Sequence, residues 1–286
     1  MFQDVTVAVT GSSGFVGSHL VRKLTEQNAK VIELDISDGI DLTDWAQVKD
    51  VPRFDVMVHL AAKIFVPAAY EHPRDFYHTN LTSTINALEL CRTHEAKMVF
   101  ASSYVYGRPK YLPIDEAHPT DMFNPYCRSK ALCESMCEGY HRDFGTRAVI
   151  LRIFNPYGPG QDKRNLIAST IHQAQTGRVV LKDPLPKRDF LYIDDMIDAY
   201  IQAVRYDRTP FETFNIGSGH SYSVKEIAEA IARRVGDHVT VEFTGESRKN
   251  EVMDTVANIA KAQDLLAWTP KIDIDQGITR CLAATQ

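Results

Sequence analysis

A strand-like run, Val5-Thr6-Val7-Ala8-Val9-Thr10, passes directly into Gly11-Ser12-Ser13-Gly14-Phe15-Val16-Gly17, and a helical pattern over Phe15–Gln27 begins inside that loop. G-x-x-G-x-x-G spacing alone carries little information. Placed between a first strand and the helix it opens, it is the turn of a nucleotide-binding β-α-β unit. Gly11 can take the tight-turn conformation, Gly14 lets a pyrophosphate approach the backbone, and Gly17 lets the helix pack close to the strand. The helix N-terminus offers amide hydrogens and partial positive charge to phosphate. Ser13, Phe15 and Val16 join the glycines as candidate cofactor contacts.

Asp35 closes the second strand, 18 residues after Gly17. A carboxylate there can accept both ribose hydroxyls of an adenosine and would repel a 2′-phosphate. No Arg or Lys lies between Asp35 and Lys49, so NAD is favoured over NADP. Further strands are expected at Val31–Leu34, Val56–Leu60, Met98–Ser102 and Ala148–Ile153, each apolar on both faces, with helices around Arg74–Thr93 and Pro125–Phe144. This alternation predicts an α/β fold with a Rossmann-type doubly wound parallel sheet. Asp41-Leu42-Thr43-Asp44 reads as a helix cap. After Asn155-Pro156-Tyr157-Gly158-Pro159-Gly160 the pattern shifts to shorter helices (Leu166–Thr176, Asp194–Tyr206, Val224–Val235, Ala257–Leu266), read as a smaller C-terminal α/β substrate lobe over the sheet's carboxyl edge. The expected division is residues 1–161 and 162–286, with a segment near 189–217 returning to the sheet.

Composition narrows the function. The 286 residues carry 32 Lys plus Arg against 37 Asp plus Glu, a net charge of −5, which provides no global field for nucleic acid or an anionic membrane. No apolar run approaches the roughly 20 residues of a membrane span, and the N-terminus lacks the basic start of a signal peptide. The five cysteines include no C-x-x-C pair and read as reduced thiols of a cytoplasmic protein. Cys133, Cys137 and His141 share a helix face, but no second cluster supplies further ligands, so no metal is expected.

Tyr126 and Lys130 stand one helical turn apart, where an ammonium would favour the phenolate and lower the tyrosine pKa toward that of a working base. Ser102 and Ser103 end the preceding strand, at the edge where parallel sheets hold ligands. With these in place the chain resembles the extended short-chain dehydrogenase/reductases, specifically nucleotide-sugar epimerases and dehydratases of the UDP-glucose 4-epimerase type. The motifs run in the family's order: Thr10 to Gly17, His59-Leu60-Ala61-Ala62, Asn80, Ser102 to Gly107, Tyr126 with Lys130, Arg152 to Gly160, and Arg188 to Asp195.

The resemblance implies that Ser102 and Tyr126 bracket the sugar C4 oxygen, with Tyr126 as base and later acid, and that Lys130 holds the nicotinamide ribose. It implies cofactor contacts at Asp41, Leu42, Leu60, Ala61 and Ala62. It gives substrate contacts at Ser103, Asn155, Asn165, Leu166, Arg188, Arg248 and Glu251, with both arginines on the diphosphate. Sugar 4,6-dehydratases carry Asp-Glu directly after the catalytic Ser or Thr; here Ser103-Tyr104 follow Ser102, which argues against dehydration. Lys63 falls one position from a phosphate-contacting lysine of some members and stays unassigned. The expectation is an NAD-dependent nucleotide-sugar 4-epimerase, with a 4-keto-sugar reductase as the nearest alternative and a non-catalytic NAD-binding scaffold further off. A homodimer through the helices near Arg74 and Pro125, on the thiol face of Cys133 and Cys137, is expected as well.

Overall fold

The first half of the chain builds β1 (Thr6–Thr10), α1 (Phe15–Glu26), β2 (Lys30–Leu34), α2 (Trp45–Val48), β3 (Val56–His59), α3 (Val66–Glu71), α4 (Pro73–His94), β4 (Lys97–Ser103), α5 (Pro125–Phe144) and β5 (Ala148–Ile153). The second half adds β6 (Asn155–Tyr157), α6 (Leu166–Ala174), β7 (Arg178–Leu181), β8 (Lys187–Tyr192), α7 (Ile193–Arg205), β9 (Phe211–Ile216), β10 (Ser221–Ser223), α8 (Val224–Val235), β11 (Thr240–Phe243), α9 (Ala260–Leu265) and α10 (Ile274–Ala283). This computed structural model describes residues 2–247 and 251–285.

Six strands form one parallel sheet in the order β2-β1-β3-β4-β5-β9. Both faces are covered, so alternate residues of each strand enter different cores. Val7, Val9, Val58, Val99, Val149 and Leu151 pack with Leu20 and Leu24 of α1 and Ile197 and Tyr200 of α7. Ala8, Met57, Met98, Phe100 and Ile150 pack on the other side with Leu88 and Cys91 of α4 and Cys133 and Cys137 of α5. Cys133 and Cys137 are therefore inside the subunit, which corrects their expected place on an interface. Asp44, not Asp41, caps α2 by accepting from the Ala46 amide.

Beyond Ile153 the chain leaves the main sheet. β6 pairs in parallel with β8, and β10 runs antiparallel on the other side of β8. A separate two-stranded parallel ladder joins β7 and β11. The chain then returns: α7 packs on the α1 face and β9 extends the main sheet beside β5. Two buried carboxylates tie the second half together where sheet hydrogen bonding is sparse. Asp189 accepts from the amides of Ser218, Gly219 and Ala257 and from the Ser218 hydroxyl. Asp195 accepts from the amides of Lys271 and Ile272.

A buried polar chain joins β1, β3 and α4. The Thr10 hydroxyl oxygen accepts from the amides of Leu60 and Ala61, so its own proton goes to His59 Nδ1 at 2.8 Å. His59 Nε2–H then donates to the Thr84 hydroxyl, which donates to the Asn80 carbonyl. Burial, with the nearby Lys130 charge, pushes the His59 pKa down to about 3. The unfolded chain binds a proton near pH 6.5 that the folded chain refuses until near pH 3, so this residue makes stability fall as the pH drops through that window. Its slope is at most about 1.4 kcal/mol per pH unit. His59→Asn should lower the melting temperature at pH 7.5 but shrink its further loss between pH 7.5 and pH 5. Equal losses in both proteins by calorimetry would refute this role.

Candidate active site

Three backbones converge at the carboxyl ends of β1 and β3. Gly11 has φ +67°, and a Cβ there would come within 3.0 Å of the Ala61 nitrogen. A Cβ on Gly17 would lie 2.1 Å from the Gly11 carbonyl oxygen, so only glycine lets α1 start this close to β1. Gly14 is the N-cap of α1 with no side-chain cap, and the first turn holds no acidic residue. Its amides therefore face outward for an anion. Inside the cradle, Ser12 is 1% exposed and its hydroxyl has no hydrogen-bond partner. Open amides, a hydroxyl to be satisfied and space that a side chain would fill fit a pyrophosphate. Phe15 and Val16 open the helix, and Phe15 reaches toward Gly158 across the cleft.

Asp35 ends β2 beside this cradle. It accepts from the Ser13 amide at 3.0 Å and the Ser37 amide at 2.9 Å. Burial raises its pKa, but these hydrogen bonds outweigh it and hold the carboxyl below its ordinary value, so it is an anion at neutral pH. Each oxygen keeps lone pairs for ribose hydroxyls. Asp41 and Leu42 also serve local structure. The Asp41 carboxylate accepts from the Thr43 amide and hydroxyl, while the Leu42 side chain is buried and its carbonyl accepts from Asn86. The loop after β3 is fixed by Asn80, whose amide group bonds the Lys63 backbone twice and donates to Ser129 on α5. Lys63 itself turns outward to Asp75 at the surface.

At the ends of β4 and α5 the two serines part company. In an extended strand, successive side chains point to opposite faces. Ser102 follows Met98 and Phe100 toward α5, where its hydroxyl donates to Glu134. Ser103 hydrogen-bonds the Tyr126 phenol. The expected pairing of Ser102 with Tyr126 is thus replaced by Ser103 with Tyr126. Neither register puts a carboxyl pair after the serine, since Ser103 is followed by Tyr104 and Val105.

Lys130 corrects a second expectation. Its ammonium donates to the Ala101 carbonyl at 2.8 Å and lies 4.9 Å over the Phe100 ring, and burial pushes its pKa down to about 8. It does not lower the Tyr126 pKa. Burial instead pushes Tyr126 up to about 12, with the Ser103 hydrogen bond pulling the other way.

Across the cleft, Arg188 on β8 pairs with Glu251 and also donates to the Val252 carbonyl at 2.6 Å. Asn155 on β6 donates to the Asp189 carbonyl, Asn165 precedes α6 with its side chain bonded to the Asp162 carbonyl, and Leu166 opens that helix. Arg248 lies outside the described residues. Sequence reasoning missed Glu134, which forms a 2.7 Å ion pair with Arg152. The available signal was a carboxylate eight residues after Tyr126, on the same α5 face as Lys130, Cys133 and Cys137, all buried. Asp189 lay within the quoted Arg188–Asp195 motif without an assigned task. Among the described residues no His, Cys, Asp and Glu cluster suited to a metal occurs.

Comparison with known proteins agrees with this arrangement. The model of the NAD-dependent epimerase/dehydratase family matches residues 7–217. A Methanocaldococcus jannaschii protein provisionally named UDP-glucose 4-epimerase is 36% identical, over 96% of each chain. The solved UDP-glucose 4-epimerase of Thermotoga maritima with UDP-glucose superposes with a TM-score of 0.92 at 25% identity, covering 98% of both chains. That of Bifidobacterium longum with NAD+ and UDP gives 0.89 at 26% identity, again with 98% of both covered. A shared core, a fitting phosphate cradle and a tyrosine–lysine helix face thus coincide with a match over most of its length, and the chain belongs to the NAD-dependent epimerase/dehydratase family.

Proposed function

We propose that this protein is an NAD-dependent nucleotide-sugar 4-epimerase acting on a UDP-hexose. The observation that carries the reading is the hydroxyl pair of Ser103 and Tyr126, set at the carboxyl edge of the sheet beyond the phosphate cradle, with Lys130 one turn away. When bound, NAD supplies a hydride acceptor and donor. It would be held by the amides after Gly11 and Gly14, by Ser12 and Ser13, and by Asp35 on the adenosine ribose; Lys130 would hold the nicotinamide ribose. UDP in the names of the similar proteins supports the choice of nucleotide.

At the sugar, Tyr126 takes the proton of the C4 hydroxyl and later returns it to the same oxygen. Ser103 donates a hydrogen bond to that oxygen while it carries negative charge. This hands Ser103 the task that sequence position suggested for Ser102. Arg188 and Arg248 hold the diphosphate, so the 4-keto sugar turns without leaving. Glu251 holds Arg188 in place and is also offered to the nucleotide ribose. Asn155, Asn165 and Leu166 line the nucleotide side.

Ile85 on α4 and Leu132 and Phe144 on α5 are exposed large apolar residues. They support a homodimer through these two helices, formed by side chains other than the buried thiols. No helix among the described residues is long and apolar enough to cross a membrane. All five thiols are free and buried, which supports a reducing, cytoplasmic setting.

Incubation with UDP-galactose or UDP-glucose, followed by NMR, should show the C4 epimer forming without added reduced cofactor. Net consumption of NADH or NADPH would instead establish the keto-sugar reductase. Tyr126→Phe should keep the fold and bound NAD while turnover drops about 10²–10⁴-fold. Ser103→Ala should cost about 10²–10³-fold, as for one lost oxyanion donor. Full activity in either variant rules out this assignment.

Asp35→Ala should weaken NAD and narrow its advantage over NADP in titration calorimetry; tighter wild-type binding of NADP would contradict the carboxylate's role. Leu132→Glu should convert a dimer to a monomer by light scattering, and a wild-type protein that is monomeric at every concentration would end the dimer proposal.

A further inference from the structure

Glu134 is a buried carboxylate for which the proposed chemistry has no use. It lies one turn beyond Lys130 and two beyond Tyr126 on α5. One oxygen accepts from the Ser102 hydroxyl and from Arg152 Nε at 3.1 Å; the other accepts from Arg152 Nη2 at 2.7 Å. Arg152 is the register partner of Ser102 on one side and of Asn215 on the other. Its guanidinium also donates to the Tyr106 hydroxyl at 3.0 Å and lies over that ring at 5.1 Å. The Tyr106 hydroxyl in turn donates to Asn215 at 2.6 Å. One polar network therefore links the carboxyl ends of three adjacent strands, β4, β5 and β9, to the helix carrying Tyr126.

We propose that the Ser102–Glu134–Arg152 network positions the catalytic pair: it fixes α5 against the last residues of β4, and thereby the distance between Tyr126 and Ser103. This rests on the function proposed above. Ser103 immediately follows Ser102, so a shift of Ser102 moves the Ser103 hydroxyl directly. A buried ion pair of this kind is often no more stabilising than an apolar pair of the same size, whereas loss of one partner strands a charge. Its contribution is orientation, at the one place where a strand end and a helix must hold two hydroxyls together. Glu134, Arg152 and Ser102 are positioning residues and touch no reacting atom.

The test uses the full-length protein with bound NAD. Glu134→Gln/Arg152→Met removes both charges and leaves no stranded ion. It should melt within a few degrees of wild type and keep its KM and NAD content, while kcat falls about 10–100-fold, the scale of a displacement near 1 Å. Ser102→Ala should lower kcat about threefold to tenfold at unchanged KM, and Ser102→Thr, which restores the hydroxyl, should recover it. Wild-type kcat in the double variant, or a loss confined to KM, overturns the proposal. If the double variant does not fold, the Ser102 pair decides: unchanged kcat in Ser102→Ala, or no recovery with Thr, overturns it as well. Tyr126→Phe is the control. If it is inactive while these variants are not, only the positioning role has failed; if it is fully active, the catalytic reading itself has failed and takes this proposal with it.

Discussion

Everything at the nucleotide end depends on α1 beginning almost in contact with the end of β1. Gly17 has its would-be Cβ 2.1 Å from the Gly11 carbonyl oxygen, and Gly11 crowds Ala61 at the end of β3 in the same way. Contact this close is open only to residues without side chains. It aims the first-turn amides of α1 at the point where the strand order reverses between β1 and β3. That reversal creates the crevice, and the glycines supply the polarity that suits an anion there. Asp35, on the strand paired to the other side of β1, then sits within reach of whatever the amides hold.

The second half solves a different problem with carboxylates. Among the described residues its sheets have two and three short strands, so much of its backbone lacks ladder partners. Asp189 satisfies three amides and Asp195 two, and burial raises the pKa of both. Each carboxyl offers two oxygens with several lone pairs, which is how two side chains can organise loops from Ser218 to Ile272. Because Asp189 adjoins Arg188, the same tie that shapes the lobe fixes the guanidinium proposed for the diphosphate.

The strands of the main sheet up to β5, apart from the partly exposed edge strand β2, were legible because both faces are buried, leaving short runs of Val, Ile, Leu, Met and Ala between turn signals. Most strands from β6 onward were not. They are three to six residues long, partly exposed, and find partners far along the chain. At the site, the glycine loop, Asp35, Tyr126 and Lys130 stood out as candidates once their spacing was combined with their places after the first strand, at the end of the second and on the helix that follows β4. The choice between Ser102 and Ser103 was not, since it turns on which face of β4 each side chain enters, and that is set by pairing with Arg152 across fifty residues of sequence.

The tyrosine's acidity needed burial, which spacing does not convey. Tyr126 is pushed up to about 12 and Lys130 down to about 8, so the same burial works against both charged forms. At neutral pH the resting phenol is an acid and a poor base. Positive charge brought close changes this. A cation about 5 Å away, at an effective dielectric near 20, favours the phenolate by about 3 kcal/mol, roughly two pKa units. Lys130 directs its ammonium to the Ala101 carbonyl and so contributes little of this. On the proposed assignment of Tyr126 as base, a bound cation would ease its deprotonation, and neutralising that charge would reverse the effect. In the proposed epimerisation, which removes a proton on oxidation and returns it on reduction, such a dependence would couple the proton step to the redox step at one carbon, and hydroxyl groups stand where an elimination would need the carboxyl pair that is missing after Ser103.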